Sequence, residues 1–236
     1  MTVRLDVGRA CAEDLAAEVH AQADVAVAER GRFVIALAGG TTPTPLYRAV
    51  EAHAEQRERD GAPVSWDRWA ALLTDERCLP AGHPDRNDGM IAMALPVLAD
   101  AGRLRTIPAE LDPDAAAADY AHTVADGGPI DLAILGLGAD GHTAGVFRPS
   151  DDDDPNGPAC VAVHDAPGPF PRRVTLTLAT LATARQVWFV VDGADRTKDA
   201  AVARLTRGEG LAVLAAGRER TRLILRQPAT SRALRR

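Results

Sequence analysis

Residues 131–149 read DLAILGLGADGHTAGVFRP. The apolar run from Ile130 to Leu137, interrupted only by Asp131 and Gly136, has the length and character of a strand buried on both faces of a parallel sheet. Gly136, Gly138 and Gly141 follow closely, so the backbone can turn sharply and approach a ligand. Asp140 and His142 then stand at the carboxyl end of that strand, where open α/β sheets bind their ligands. A histidine there can act as a general base, since its unperturbed pKa is about 6.5. The competing reading of these residues alone is a glycine-rich turn with a surface histidine. The GxGxxG spacing is weak support for a dinucleotide site, because no acidic partner about 20 residues on is convincingly placed.

Working outward, strands and helices alternate. Val3–Val7 reads as a first, edge strand, and Ala10–Arg30 as a helix with Leu15, Val19, Ala23 and Val27 along one apolar stripe. Phe33–Ala38 is a short buried strand that ends in Gly39-Gly40-Thr41-Thr42-Pro43. Thr42 is placed to cap a helix whose first residue is Pro43. A strand, this loop and a helix N-terminus together offer free N–H groups, two hydroxyls and a positive dipole end, which suits a phosphate. An ordinary, well-capped turn is the plainer alternative.

Trp66–Leu73 is the next strand, delivering Thr74-Asp75-Glu76-Arg77 to the same edge; three charged side chains directly after an apolar strand are rarely structural, although one could cap the following turn. Asp88–Leu98 is expected to be helical, Arg103–Ile107 a short strand, and Asp112–Val124 a helix. After the central stretch, Ser150–Pro158 reads as an exposed acidic loop; Asp151–Asp154 lacks the spaced pattern of a calcium loop. Arg173–Thr177 and Val187–Val191 are strands, Leu178–Ala184 and Asp195–Leu205 helices, and Arg222–Leu225 a last strand before a frayed arginine-rich end. The expectation is one α/β domain over residues 1–236: a doubly wound, mostly parallel, Rossmann-like sheet flanked by helices, with polar clusters converging on one edge.

Composition narrows the function. Hydrophobic residues are 46% of 236, enough for a sizeable core. A net charge of −6, from 27 basic and 33 acidic residues, argues against a general nucleic-acid binder. Lys198 is the sole lysine; arginine carries the other positive charges. Cys11, Cys78 and Cys160 are far apart, which implies neither disulfides nor a zinc site. No apolar segment reaches the ~18 residues of a membrane span. The expectation is a cytoplasmic chain with no membrane partner, a monomer or small homo-oligomer.

Taken in order, Ala38-Gly39-Gly40-Thr41-Thr42-Pro43 with Leu46-Tyr47, Asp75-Glu76-Arg77 with Asn87, Gly136-Leu137-Gly138-Ala139-Asp140-Gly141-His142-Thr143-Ala144 with Phe147, Arg173–Thr177 and Gly193 resemble the 6-phosphogluconolactonase family. That family lies within a wider group of sugar-phosphate isomerase-like and glucosamine-6-phosphate deaminase-like folds. The resemblance runs from about Phe33 to Leu205. It implies a cytoplasmic hydrolase of the pentose phosphate pathway acting on a phosphosugar lactone without metal or cofactor. It further implies that the loop Gly39, Gly40, Thr41 and Thr42 holds the 6-phosphate, and that His142 activates the attacking water. Asp75 and Arg77 would line the same pocket. Asn87, Gly138, Asp140, Gly141 and Arg173 are carried over as substrate-binding candidates. The family's phosphate-facing lysine aligns with Arg196, with Lys198 as the alternative one step of register away. Arg86 stands where serine usually precedes the asparagine. A glucosamine-6-phosphate deaminase is the nearest rival, though Phe147-Arg148-Pro149 has no glutamate for ring opening; a non-catalytic sugar-phosphate sensor is the third reading.

Overall fold

The computed structural model describes residues 5–148, 154–216 and 220–227. In chain order the elements are β1 (Leu5–Ala10), α1 (Ala12–Arg30), β2 (Phe33–Leu37), α2 (Thr44–Arg59), β3 (Trp69–Leu73), β4 (Asp75–Arg77), α3 (Asn87–Ala94), α4 (Pro96–Asp100), β5 (Leu104–Arg105) and α5 (Pro113–Gly127). They continue with β6 (Leu132–Leu135), β7 (Cys160–Val163), β8 (Arg173–Leu176), α6 (Leu178–Ala182), β9 (Gln186–Asp192), α7 (Asp199–Thr206) and β10 (Arg220–Arg226).

Seven strands form a parallel sheet in the order β1-β10-β9-β6-β2-β3-β5. All five residues of β2 and all four of β6 are buried, as a sheet covered by helices on both faces requires. From β2 the chain moves outward through β3 to β5, then returns to lay β6 on β2's other side. The direction of winding therefore reverses between β2 and β6, and a crevice opens at their carboxyl ends. Asp131, the acid in the central apolar run, is explained by its position at the other end. Its carboxylate accepts from the Val34 N–H at 2.9 Å and pairs with Arg30 at 2.9 Å, tying β6 to β2 and α1. Among the described residues no helix is long and apolar enough to cross a membrane.

The structure departs from the sequence reading in several places. Arg173–Leu176 is not in the parallel sheet. It lies at the centre of a second, three-stranded antiparallel sheet, β4-β8-β7, whose outer strand β7 was not anticipated. Thr74 is the corner between the sheets: its N–H donates to Leu37 O at 3.0 Å, and its carbonyl accepts from Leu176 N at 2.8 Å. Asp75–Arg77, expected to lie at the sheet edge beyond β3, is itself a strand.

Helix α2 starts at Thr44, and Thr42 does not cap it; the Thr44 hydroxyl instead donates to Gly40 O at 2.8 Å. The single helix expected over 88–98 breaks at Leu95, because Pro96 disfavours helical geometry in the residue before it. Trp66–Arg68 is a 3₁₀ turn rather than strand, and a second such turn, Arg196–Lys198, precedes α7. Most of the Asp151–Asp154 run and the arginine-rich C-terminus lie outside the described residues.

Candidate active site

The crevice between β2 and β6 holds a cavity of about 280 Å³. Its first wall is the loop that leaves β2. A side chain at Gly39 would collide with Asn87, its Cβ meeting Oδ1 at 2.0 Å, and Gly40 has φ +97°, a conformation that favours glycine. The N–H groups of Thr41 and Thr42 have no acceptor among the described residues and remain available to a ligand. The Gly40 N–H meets the Met90 thioether at 3.0 Å, a weak acceptor.

The loop after β6 forms the second wall. Gly141 has φ +93°, and a Cβ on Gly138 would strike the His142 ring at 2.1 Å. These glycines fold the loop back so that Nδ1 of His142 lies 2.5 Å from Oδ1 of Asp140. The imidazole is 31% exposed and packs on Phe147 with centroids 4.5 Å apart. Burial works to raise the Asp140 carboxyl, but hydrogen bonds from the His142 ring and backbone N–H outweigh it and hold the group below its ordinary range. Asp140 and Gly141, expected to contact substrate, line a neighbouring cavity and not this one.

The small sheet contributes the third wall. β4 and β8 pair Asp75 with Thr175 and Arg77 with Arg173, so a carboxylate and two guanidiniums share one edge of the cavity. Arg173 lies 3.8 Å from Asp75 and 5.2 Å from the Phe147 centroid. Burial lowers its pKa while Asp75 opposes the change. Arg77 donates to the Asp85 carbonyl at 2.6 Å. Asn87 is buried; its amide donates to Asp75 O at 2.8 Å, and its Oδ1 has no partner.

Lys198 also lines this cavity, 18% exposed and 4.0 Å from Asp195. Arg196, the first choice by alignment, does not. Its side chain is 81% exposed and pairs with Asp199 at 3.2 Å. The two positions lie two apart in one 3₁₀ turn and so face different ways.

Within the DER triplet, Glu76 is the structural member. It is fully buried, and its carboxylate accepts N–H donors from Arg77, Asn87 and Asp88 at 2.7, 2.8 and 2.8 Å. Burial pushes its pKa up to about 7 against those hydrogen bonds. Beside it Arg86, almost wholly buried, bonds Asp88, Glu110 and the Ile107 carbonyl at 2.6, 2.9 and 3.0 Å. Sequence reasoning saw Arg86 only as a departure. A charged residue adjoining a buried asparagine was the available signal for a brace.

A family model described as glucosamine-6-phosphate isomerases/6-phosphogluconolactonase matches residues 7–219. The chain belongs to this family. Among relatives of the glucosamine-6-phosphate isomerase/6-phosphogluconolactonase family, the 6-phosphogluconolactonase of Mesorhizobium japonicum is 37% identical over 190 residues, covering 77% of this chain and 76% of that protein. The 6-phosphogluconolactonase of Streptomyces coelicolor is 32% identical over 229 residues, covering 90% and 86%. The crystal structure of 6-phosphogluconolactonase from Thermotoga maritima superposes with a TM-score of 0.80 at 24% identity, over 95% of this chain and 100% of that one. The fold is therefore the family's own. In this member, Arg77, Arg173 and Lys198 outnumber Asp75 around the cavity, which suits it to an anionic ligand.

Proposed function

We propose that the chain hydrolyses 6-phospho-D-glucono-1,5-lactone to 6-phospho-D-gluconate, with His142 as the base. One observation carries this reading: an Asp140-held imidazole opens onto a cation-rich cavity whose opposite wall is a loop with free N–H groups. With Nδ1 donating to Asp140, Nε2 keeps its lone pair and takes a proton from water as the oxygen attacks the lactone carbonyl. Negative charge develops on the carbonyl oxygen, and Arg173 and Arg77 supply the positive field there. The tetrahedral intermediate collapses by breaking the bond to the ring oxygen, which leaves as a hydroxyl after accepting the proton held by His142. The carboxylic acid product ionises in water.

The loop Gly39–Thr42 and Lys198 are assigned to the 6-phosphate. Binding the non-reacting end fixes the carbonyl beside the base, converting binding energy into orientation. Asp75 holds Arg173, and Asn87 offers its unpaired Oδ1 to a substrate hydroxyl. The route uses side chains and water alone.

The test is hydrolysis of freshly prepared 6-phosphogluconolactone, measured against its spontaneous rate and beside unphosphorylated gluconolactone. Strong acceleration of the phosphorylated lactone alone supports the assignment. Equal rates on both lactones remove the phosphate anchor, and no acceleration removes the activity.

A further inference from the structure

A second cavity opens at the opposite end of the strands that carry the candidate active site. It measures about 480 Å³ and lies against the amino ends of β2, β3 and β5. Arg32, Arg68, Arg103 and Arg105 line it, with Asp67 and Asp126 as the only acids on its wall. Register explains the crowding. Phe33 pairs with Trp69, so Arg32 and Arg68 enter the sheet side by side, while the Ala71–Leu104 pair brings Arg103 in beside Ala70. Neighbouring strands are about 4.8 Å apart, so these roots span roughly 10 Å.

The charges in this cleft are not neutralised from within. Arg68 pairs with Asp67 at 3.2 Å. Arg32, Arg103 and Arg105 have neither an ion pair nor a side-chain hydrogen bond among the described residues, and Nε of Arg103 is buried without an acceptor. Arg30, Arg57, Arg86, Arg222 and Arg226, by contrast, each meet a carboxylate. In a chain of net charge −6, three unpaired guanidiniums around one cleft repel each other with no partner supplied by the fold. Gly31 and Gly127 on the wall carry no side chain and leave the space open.

We propose that this cleft binds a compact polyphosphate anion, whether inorganic or the phosphate arm of a nucleotide. A single phosphate is too small to span guanidiniums rooted on three strands. A chain of two or three phosphates offers oxygens along its length to several of them, and the planar fork of arginine matches these bidentately. The site shares no lining residue with the candidate active site, so it stands apart from the lactonase reading.

Calorimetric titration of inorganic tripolyphosphate into the intact chain, at about 0.15 M salt to screen diffuse attraction, tests the proposal. The wild type and Lys198→Ala should bind with similar affinity. Arg32→Ser/Arg105→Ser, which alters two exposed side chains, should bind roughly tenfold or more weakly while its thermal unfolding midpoint is kept. Arg103→Ser should weaken binding as well. A nucleoside triphosphate run in parallel identifies the source: tighter binding than tripolyphosphate means that the nucleoside is also read, and equal binding means that phosphate alone is. Wild-type affinity in Arg32→Ser/Arg105→Ser overturns the proposal. So does loss of all binding in Lys198→Ala, which would place the anion in the active site, or the absence of binding at millimolar tripolyphosphate.

Discussion

Oδ1 of Asp140 accepts from both the Nδ1 and the backbone N–H of His142, at 2.5 and 3.1 Å, within the loop that leaves β6. One carboxylate oxygen therefore orients the ring and selects its tautomer. Nε2 is the nitrogen left for the cavity. Replacing His142 with Asn should lower kcat by about 10²–10⁴-fold, the usual contribution of a general base, and should abolish the acid limb of the pH–rate profile. Asp140→Asn should keep the ring but blur its tautomer, with a smaller loss in kcat. Retention of more than about a third of wild-type kcat in His142→Asn, far short of that range, would remove His142 as base. Both are read from kcat and its pH dependence after subtraction of spontaneous hydrolysis.

Lys198 lines the cavity and Arg196 does not, so the two should separate cleanly in kinetics. Lys198→Ala should raise KM for the phosphorylated lactone by roughly tenfold or more, the worth of one charge-assisted contact. It should also lower kcat if the phosphate contact orients the lactone. Arg196→Ala should leave both constants within about twofold, as expected for an exposed i,i+3 pair. The reverse pattern would return the anchor to Arg196.

Glu76 and His20 should give opposing pH dependences of stability. The folded Glu76 carboxyl is raised from 4.5 to about 7, so the native state holds its proton longer than the unfolded chain does. Stability from this group is present below pH 4.5 and is lost as pH rises to 7, by about 3 kcal/mol at 1.36 kcal/mol per pKa unit. The folded His20 ring is lowered from 6.5 to about 4 by burial, the hydrogen bond to Val50 O opposing and the neighbouring His53 reinforcing. Its contribution is present above pH 6.5 and is lost as pH falls to 4, again about 3 kcal/mol. Between pH 4.5 and 6.5 the two slopes oppose each other. His20→Phe should therefore leave a stability that falls with rising pH across this window, measured by urea unfolding at each pH. An unchanged pH slope in that variant would contradict the account.

Glu76→Gln should be destabilising. The carboxylate meets three N–H groups, and an amide would turn its own donors toward at least one of them. A loss of about 2–4 kcal/mol is expected from leaving buried donors unpaired. Because the same contacts seat Asn87 beside Gly39, KM should rise in the surviving folded fraction. Near wild-type unfolding and KM would show that the brace is dispensable.

The sequence by itself determined the parallel sheet and its ligand-binding edge. FVIAL, WAALL and LAIL are apolar strands, the first and last followed by glycine-rich turns, and in parallel sheets the carboxyl ends meet at one edge. The glycines at 39, 40, 138 and 141 were legible because each meets a local backbone or close-contact demand. Tertiary structure alone decided the second sheet, which cation lines the cavity and the work of Glu76. β4 and β7 are three and four residues long, too short for a periodic signal; β8 was legible as a strand, but its place in a second sheet depends on Thr74 handing the chain from one sheet to the other. Which of Arg196 and Lys198 lines the cavity depends on how one 3₁₀ turn is set against it. Glu76 sits between two residues of the cavity wall, and nothing local distinguishes it from them. Only the packing of α3 against β4 supplies the N–H groups that turn its charge inward and make it a brace.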